Sequence, residues 1–235
     1  MAFQNLSEQL FHALGRKIVQ GKIKPGEHLP KVELLSEMNG VSRTVVREVL
    51  KGLAARRLIK SYTKIGTVVQ PRSKWQWWDP DVLSWAAEAE NNQTFLLQLT
   101  EVRLAIEPAA VELAANNATE KDIQEIKKRY EQLEQAFGDE PKWVEADYEF
   151  HSSILAASHN ELMLSLLDTL RKALEKSRQT TIHVIHQHSP SAYEEVIVRH
   201  KKIMEAVCRG DGATARVRMK ELLERVSQLI VNASE

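Results

Sequence analysis

Val41-Ser42-Arg43-Thr44-Val45-Val46-Arg47-Glu48-Val49-Leu50 places a serine ahead of apolar residues at helical spacing. Ser42 suits an N-cap, and Val45, Val46, Val49, Leu50 and Leu53 recur on one side of the helix that follows. Arg43, Thr44, Arg47 and Lys51 are left on the other side. Arginine gives bidentate hydrogen bonds to guanine in a major groove, and threonine meets a thymine methyl or a phosphate. The exposed face therefore suits DNA, but an ordinary solvated helix can show the same ten residues. The neighbouring stretches decide between these readings.

Upstream, Leu6, Leu10, Leu14 and Ile18 form one apolar stripe on a first helix, which Gly21 and the turn Pro25-Gly26 stop. Leu29-Pro30 opens a short second helix whose apolar set is Val32, Leu34, Leu35 and Met38. Asn39-Gly40 reads as a tight turn of two residues that tolerate positive φ. Two helices across such a turn make a helix-turn-helix, and the opening stretch is its groove reader. Downstream of Arg56-Arg57 the period changes: 58–62 and 66–70 read as extended runs around Thr63-Lys64-Ile65. A hairpin there is a wing, with Lys64 and Gly66 placed to approach phosphates or a minor groove. The alternative for Lys64 is a solvated loop charge.

The whole chain of 235 residues is 43% hydrophobic and 27% charged, a composition of folded soluble proteins with one or two domains. No apolar run approaches the roughly 20 residues of a bilayer span, and Met1 to Gln9 lacks a basic region followed by an apolar one. A cytoplasmic protein without a membrane partner is expected. The single cysteine, Cys208, excludes an internal disulfide and a thiolate zinc cluster. The formal net charge is zero, yet residues 1–72 hold 13 basic and 5 acidic residues, and the remainder holds 19 basic and 27 acidic. A basic DNA-binding segment joined to an acidic partner domain shows this asymmetry.

Residues 10–70 resemble the winged helix-turn-helix of the GntR family of bacterial regulators. The residues that carry the resemblance are Ile18, Gly21, Pro25-Gly26, Leu29-Pro30, Gly40-Val41-Ser42-Arg43, Val46-Arg47-Glu48-Val49-Leu50, Leu53, Gly66-Thr67 and Val69. The resemblance implies operator DNA contacts from Ser42, Arg43, Thr44 and Arg47. It also exposes one departure: the family's second helix usually begins with a Glu-Arg pair, and here Val32 and Glu33 occupy those positions. An acid does not replace a phosphate-binding arginine, and Lys31 is the available substitute.

The expected domains are a winged helix-turn-helix over 1–72, a Trp-rich linker and docking helix over 73–90, and an all-α effector-binding and dimerisation domain over 91–235. Four of the five tryptophans fall between Trp75 and Trp85, too much apolar area for a flexible tether, and Asp79-Pro80 signals a helix start. Helical patterns cover 79–90, 94–116, 120–136, 142–158, 161–180, 192–209 and 212–231, so the fold class is mainly α, a winged helix plus a bundle of about seven helices.

In that bundle Asp147 and His151, four apart, share a helix face and can chelate one metal ion or hydrogen-bond without one. The run Asp147-Tyr148-Glu149-Phe150-His151, with Ala157-Ser158-His159-Asn160 and His200 to Val207, resembles the ligand-binding bundle of the FadR-type branch, the FCD domain. The resemblance implies zinc or a similar divalent ion on Asp147, His151 and His200. The fourth ligand expected from the family falls on Leu222, leaving room for a substrate oxygen or water. The tract His183 to His188 is a second, weaker metal-like cluster. Arg103, on an apolar face, snorkels, pairs with Glu107 or meets an anion; in the family an arginine here meets the effector's carboxylate. Asn160 and Arg178 are further candidates for the pocket wall.

The Trp-rich segment resembles regulators of sugar-acid catabolism of the galactonate-operon type. The expectation is a dimeric repressor, not an enzyme, that binds a two-fold operator and senses a small carboxylate. A metal-dependent enzyme built on Asp147, His151 and His200, or an architectural DNA-binding protein without an effector, are the alternatives.

Overall fold

The computed structural model describes residues 6–136, 138–188 and 190–233, the side chains of 186–192 excepted. The chain divides into two compact units, Met1–Glu90 and Asn91–Glu235.

In the first unit, α1 (Leu6–Val19), α2 (Val32–Asn39) and α3 (Arg43–Ala55) precede the antiparallel hairpin β1 (Ile59–Tyr62) and β2 (Gly66–Val69). Ser42 caps α3 by accepting a hydrogen bond from the Val45 amide at 3.2 Å. Of the expected Asn39-Gly40 turn, only Gly40 takes positive φ, at 62°; Asn39 is still helical and bonds the Leu35 carbonyl through Nδ2. Val46, Val49 and Leu53 are buried with Leu10, Leu14 and Ile18, whereas Leu6, Leu34 and Met38 are exposed. The apolar face of α2 is thus narrower than its sequence suggests, because one turn of contact around Leu35 suffices for an eight-residue helix. Register pairs Ile59 with Val69 and Tyr62 with Gly66.

The Trp-rich segment belongs to this unit. Trp75 is buried and donates through Nε1 to the Gln70 carbonyl at 2.8 Å, while the Arg72 guanidinium lies over both Trp75 and Trp77. Asp79 caps α4 (Pro80–Ala87) by accepting from the Asp81 and Val82 amides. Arg56, at the C-cap of α3, bonds Asp79 at 2.9 Å and Asp81 at 2.7 Å. Trp85, 1% exposed, fits against Gly15, where an added Cβ would come within 2.3 Å of the indole.

The second unit holds α5 (Gln93–Asn117), α6 (Glu120–Gln135), α7 (Glu140–Ala157), α8 (Glu161–His188), α9 (Pro190–Cys208) and α10 (Gly212–Asn232). Among the described residues it has six helices, because the first of the seven expected, α4, packs within the first unit. Local signals set most boundaries: a Thr119/Asp122 capping box starts α6, and Asp139 and Asp211 cap α7 and α10. The helix α8 runs eight residues past the expected end at Thr180. Ile182 and Ile185 are buried there, so packing overrides the weak helix propensity of Thr180-Thr181-Ile182. No helix among the described residues is long and apolar enough to cross a membrane.

Candidate DNA interface and effector site

On the first unit, the side chains of Arg43, Thr44 and Arg47 are exposed along one face of α3. Arg43 lies 3.8 Å from Glu33. Ser42 is exposed too, but its hydroxyl is committed to the cap of α3. Lys31 stands at the N-cap of α2 without a capping bond from its side chain. At the wing, Lys64 has φ of 67° and Gly66 has φ of 103°, so the exposed tip turns through two left-handed residues. All seven expected DNA-facing positions are exposed, Arg43 beside Glu33, Gly66 as bare backbone and Ser42 with a capping hydroxyl.

On the second unit, helices α5, α7, α8 and α9 bring buried charges together. Arg103 donates to Glu107 through Nε at 2.6 Å and Nη2 at 3.3 Å. Glu107 Oε2 is 3.0 Å from His151 Nδ1, whose alignment is too poor for a good hydrogen bond. His151 Nε2 then faces Asp147 Oδ1 at 3.8 Å, and His200 Nε2 faces the same oxygen at 3.0 Å. Arg178 Nε donates to the other oxygen of Asp147. All six residues are at most 4% exposed.

Electrostatics follow from that burial. Desolvation is the largest single influence and pushes the Glu107 and Asp147 carboxyls up, but Arg103 together with His151 at Glu107, and Arg178 together with His151 and His200 at Asp147, outweigh it, so both lie below the usual range. Burial lowers His151 despite the two carboxylates beside it. Both acids are therefore ionised and His151 is neutral near pH 7.

The donor set fits a divalent cation. Ligand atoms of Asp147, His151 and His200 all lie within 4.8 Å of one another. His200 Nδ1 is 2.8 Å from the Val196 carbonyl, which can only accept, so Nδ1 carries the proton. Its Nε2 then needs a cation between itself and Asp147, either a second proton or a metal. Leu222 lines the adjacent cavity as an apolar wall, with Trp143, Ser177, Thr181 and Arg225. The cavity measures about 30 Å³. Besides His151 Nδ1, the buried polar atoms Trp143 Nε1 and the terminal nitrogens Nη1 and Nη2 of Arg178 have no hydrogen-bond partner among the described residues.

The structure thus gathers Arg103, Asp147, His151, Arg178 and His200 from four helices. It does not include Asn160, which is absent from the cavity wall. Its side chain instead accepts from the Met163 amide at 3.2 Å, the local capping bond that an asparagine before a helix favours. His183 is 63% exposed, and the side chains of His186 and His188 lie outside the described residues. Sequence reasoning did not single out Trp143 or Thr181. The i, i+4, i+8 series Trp143, Asp147, His151 was the available signal for the first.

Residues 98–225 match the FCD domain, and residues 6–69 match the bacterial regulatory proteins of the gntR family. The chain belongs to the GntR family. The galactonate operon transcriptional repressor of Escherichia coli K12 is 30% identical over 211 residues, covering 90% of each chain. The regulator LutR of Bacillus subtilis 168 is 29% identical over 213 residues, 91% of this chain and 95% of its own. Among solved structures, Lar of Listeria monocytogenes gives a TM-score of 0.66 at 20% identity over 99% of both chains, a likeness of fold. Families and relatives alike are transcriptional regulators rather than enzymes, so this GntR-family chain is a DNA-binding regulator with a helical FCD domain.

Proposed function

We propose that this regulator is a dimeric repressor of a two-fold operator, and that its FCD domain releases DNA on binding a small carboxylic acid of the sugar-acid class. Arg43, Thr44 and Arg47 read bases, while Lys31, Ser42, Lys64 and the backbone at Gly66 meet phosphates or the minor groove. The observation that carries the effector reading is Arg178: its two outer nitrogens are desolvated and unpartnered at a cavity wall. A planar fork in that state matches a carboxylate. The sugar-acid class is supported by the likeness to the galactonate operon repressor.

Asp147, His151 and His200 would hold a divalent ion such as zinc, which supplies a Lewis-acidic point for a carboxylate or hydroxyl oxygen. With His151 and His200 neutral, the charges of Arg103, Arg178, Glu107 and Asp147 cancel. A divalent ion leaves the buried site doubly positive, so it favours an anion beside it. The cavity of about 30 Å³ has room for little more than one water. A sugar acid must therefore part the lining side chains of α8 from those of α10, and that displacement is the difference between the two states of the domain.

The test is a thermal-shift and operator-release series with galactonate and related aldonates, with and without zinc. Acid should raise the melting temperature and release operator DNA, more strongly with zinc present. Arg178→Gln keeps an acceptor and donor beside Asp147 but removes the fork; it should bind operator normally and ignore the acid. Release by acid in Arg178→Gln removes Arg178 from the site. No response of the wild type to any carboxylic acid overturns the effector reading.

A further inference from the structure

The first turn of α2 carries an acid where it borders the reader helix. Glu33 Oε1 lies 3.8 Å from Arg43 Nη1, with side chains 50% and 64% exposed. Packing of α2 rests on buried Leu35, and Glu33 contributes nothing to it. Lys31, Arg47 and Lys64, the other charged side chains at the expected DNA-facing positions, are exposed and cationic. A carboxylate among them is repelled by DNA phosphates and so lowers affinity for any duplex.

The compensation lies in what it does to Arg43. An exposed arginine at a groove edge is attracted to phosphates as well as to bases, and only base contacts carry sequence information. We propose that Glu33 is a specificity-determining residue of the DNA interface: it takes one edge of the Arg43 guanidinium, aims the other at a base, and disfavours poses in which Arg43 slides onto the backbone. The fitting partner is duplex DNA offering a guanine N7/O6 edge at that step. Glu33 trades general affinity for selectivity. This inference rests on the base-reading role proposed above for Arg43.

The experiment uses the full chain as wild type, Glu33→Gln, Arg43→Ala and the double variant. A randomised duplex pool is selected with wild type, and anisotropy titrations then compare the most enriched duplex with random-sequence duplex of equal length. Arg43→Ala should lose preference at one base-pair step. Glu33→Gln should bind random duplex more tightly, lower the enriched-to-random ratio about two- to fivefold, the range of an exposed ion pair, and change nothing further in the Arg43→Ala background. Its melting temperature should match wild type. If Glu33→Gln keeps the wild-type ratio while Arg43→Ala loses it, Glu33 has no such role and Arg43 remains the reader. If Arg43→Ala keeps its preference, the base-reading role of Arg43 falls and the proposal falls with it.

Discussion

Replacing Asp147 by asparagine perturbs the buried charge network at its centre. The substitution keeps size and removes one charge from a residue that is 4% exposed. That carboxylate accepts from Arg178 Nε and faces His200 Nε2 at 3.0 Å. Asparagine leaves the Arg178 guanidinium without an anion, and stripping one partner from a buried pair costs about 3–5 kcal/mol. Because the amide oxygen still accepts from Arg178 Nε, the lower end of that range applies, about 3 kcal/mol. For a unit of this size each kcal/mol moves the melting temperature by about 2–4 °C, so the transition of the second unit should fall by about 6–12 °C. Calorimetry of metal-free protein in chelator at pH 7 reads this, with the first unit's transition as internal reference. The pH dependence follows from Asp147 lying well below 3.8 when folded. Its contribution is fully present above the unfolded value and is lost as pH falls through that value toward the folded one. Wild type should lose some stability as pH falls through about 6.5, where His151 is protonated in the unfolded chain but kept neutral by burial in the fold, and weaken further below about 4, with a shallower limb below 4 in the variant. An Asp147→Asn transition within about 2 °C of wild type, or an equally steep acid limb, would refute the network as drawn.

Other perturbations address other parts of the molecule. Leu222→His adds an imidazole to the cavity wall next to the Asp147, His151 and His200 set, and zinc titration should show affinity higher by about tenfold or more, the equivalent of one good contact, with a weaker response to acid. Gly15→Ala forces Trp85 out of its seat, so the first unit should lose about 1–3 kcal/mol of stability by calorimetry. Lys64→Ala should weaken binding to all duplexes alike and reduce the salt slope by about one unit, read from affinities across a salt series.

Where structure is decided locally, it was legible in the sequence. Ser42, the Thr119 box and Asp211 mark helix starts because a side-chain oxygen and an amide three residues apart settle them. The winged helix was legible for the same reason, its punctuation being glycine, proline and serine. Packing across distant segments was not. Arg103 and Glu107 could be paired from their spacing, but nothing local places His151 Nδ1 at 3.0 Å from Glu107 or Arg178 on Asp147. Asn160 looked like a pocket residue from its neighbourhood in sequence, and its real partner is the next turn of its own helix. The end of α8 was misplaced because the burial of Ile182 and Ile185 outweighs local propensity.

Arg56 closes the reader helix and grips both Asp79 and Asp81 at the first turn of α4. For anyone building hybrid regulators, this sets the splice point. A junction at Pro71 or within 73–79 would sever the grip on Asp81 and leave the seat at Gly15 without Trp85, whatever sensor was attached. A junction at Glu90–Asn91, where the two compact units meet in sequence, hands over a reading head complete with its own lock. The portable DNA-binding module of this chain is thus longer than the winged helix itself, by the length of a tryptophan-lined segment that touches no DNA in the proposed interface.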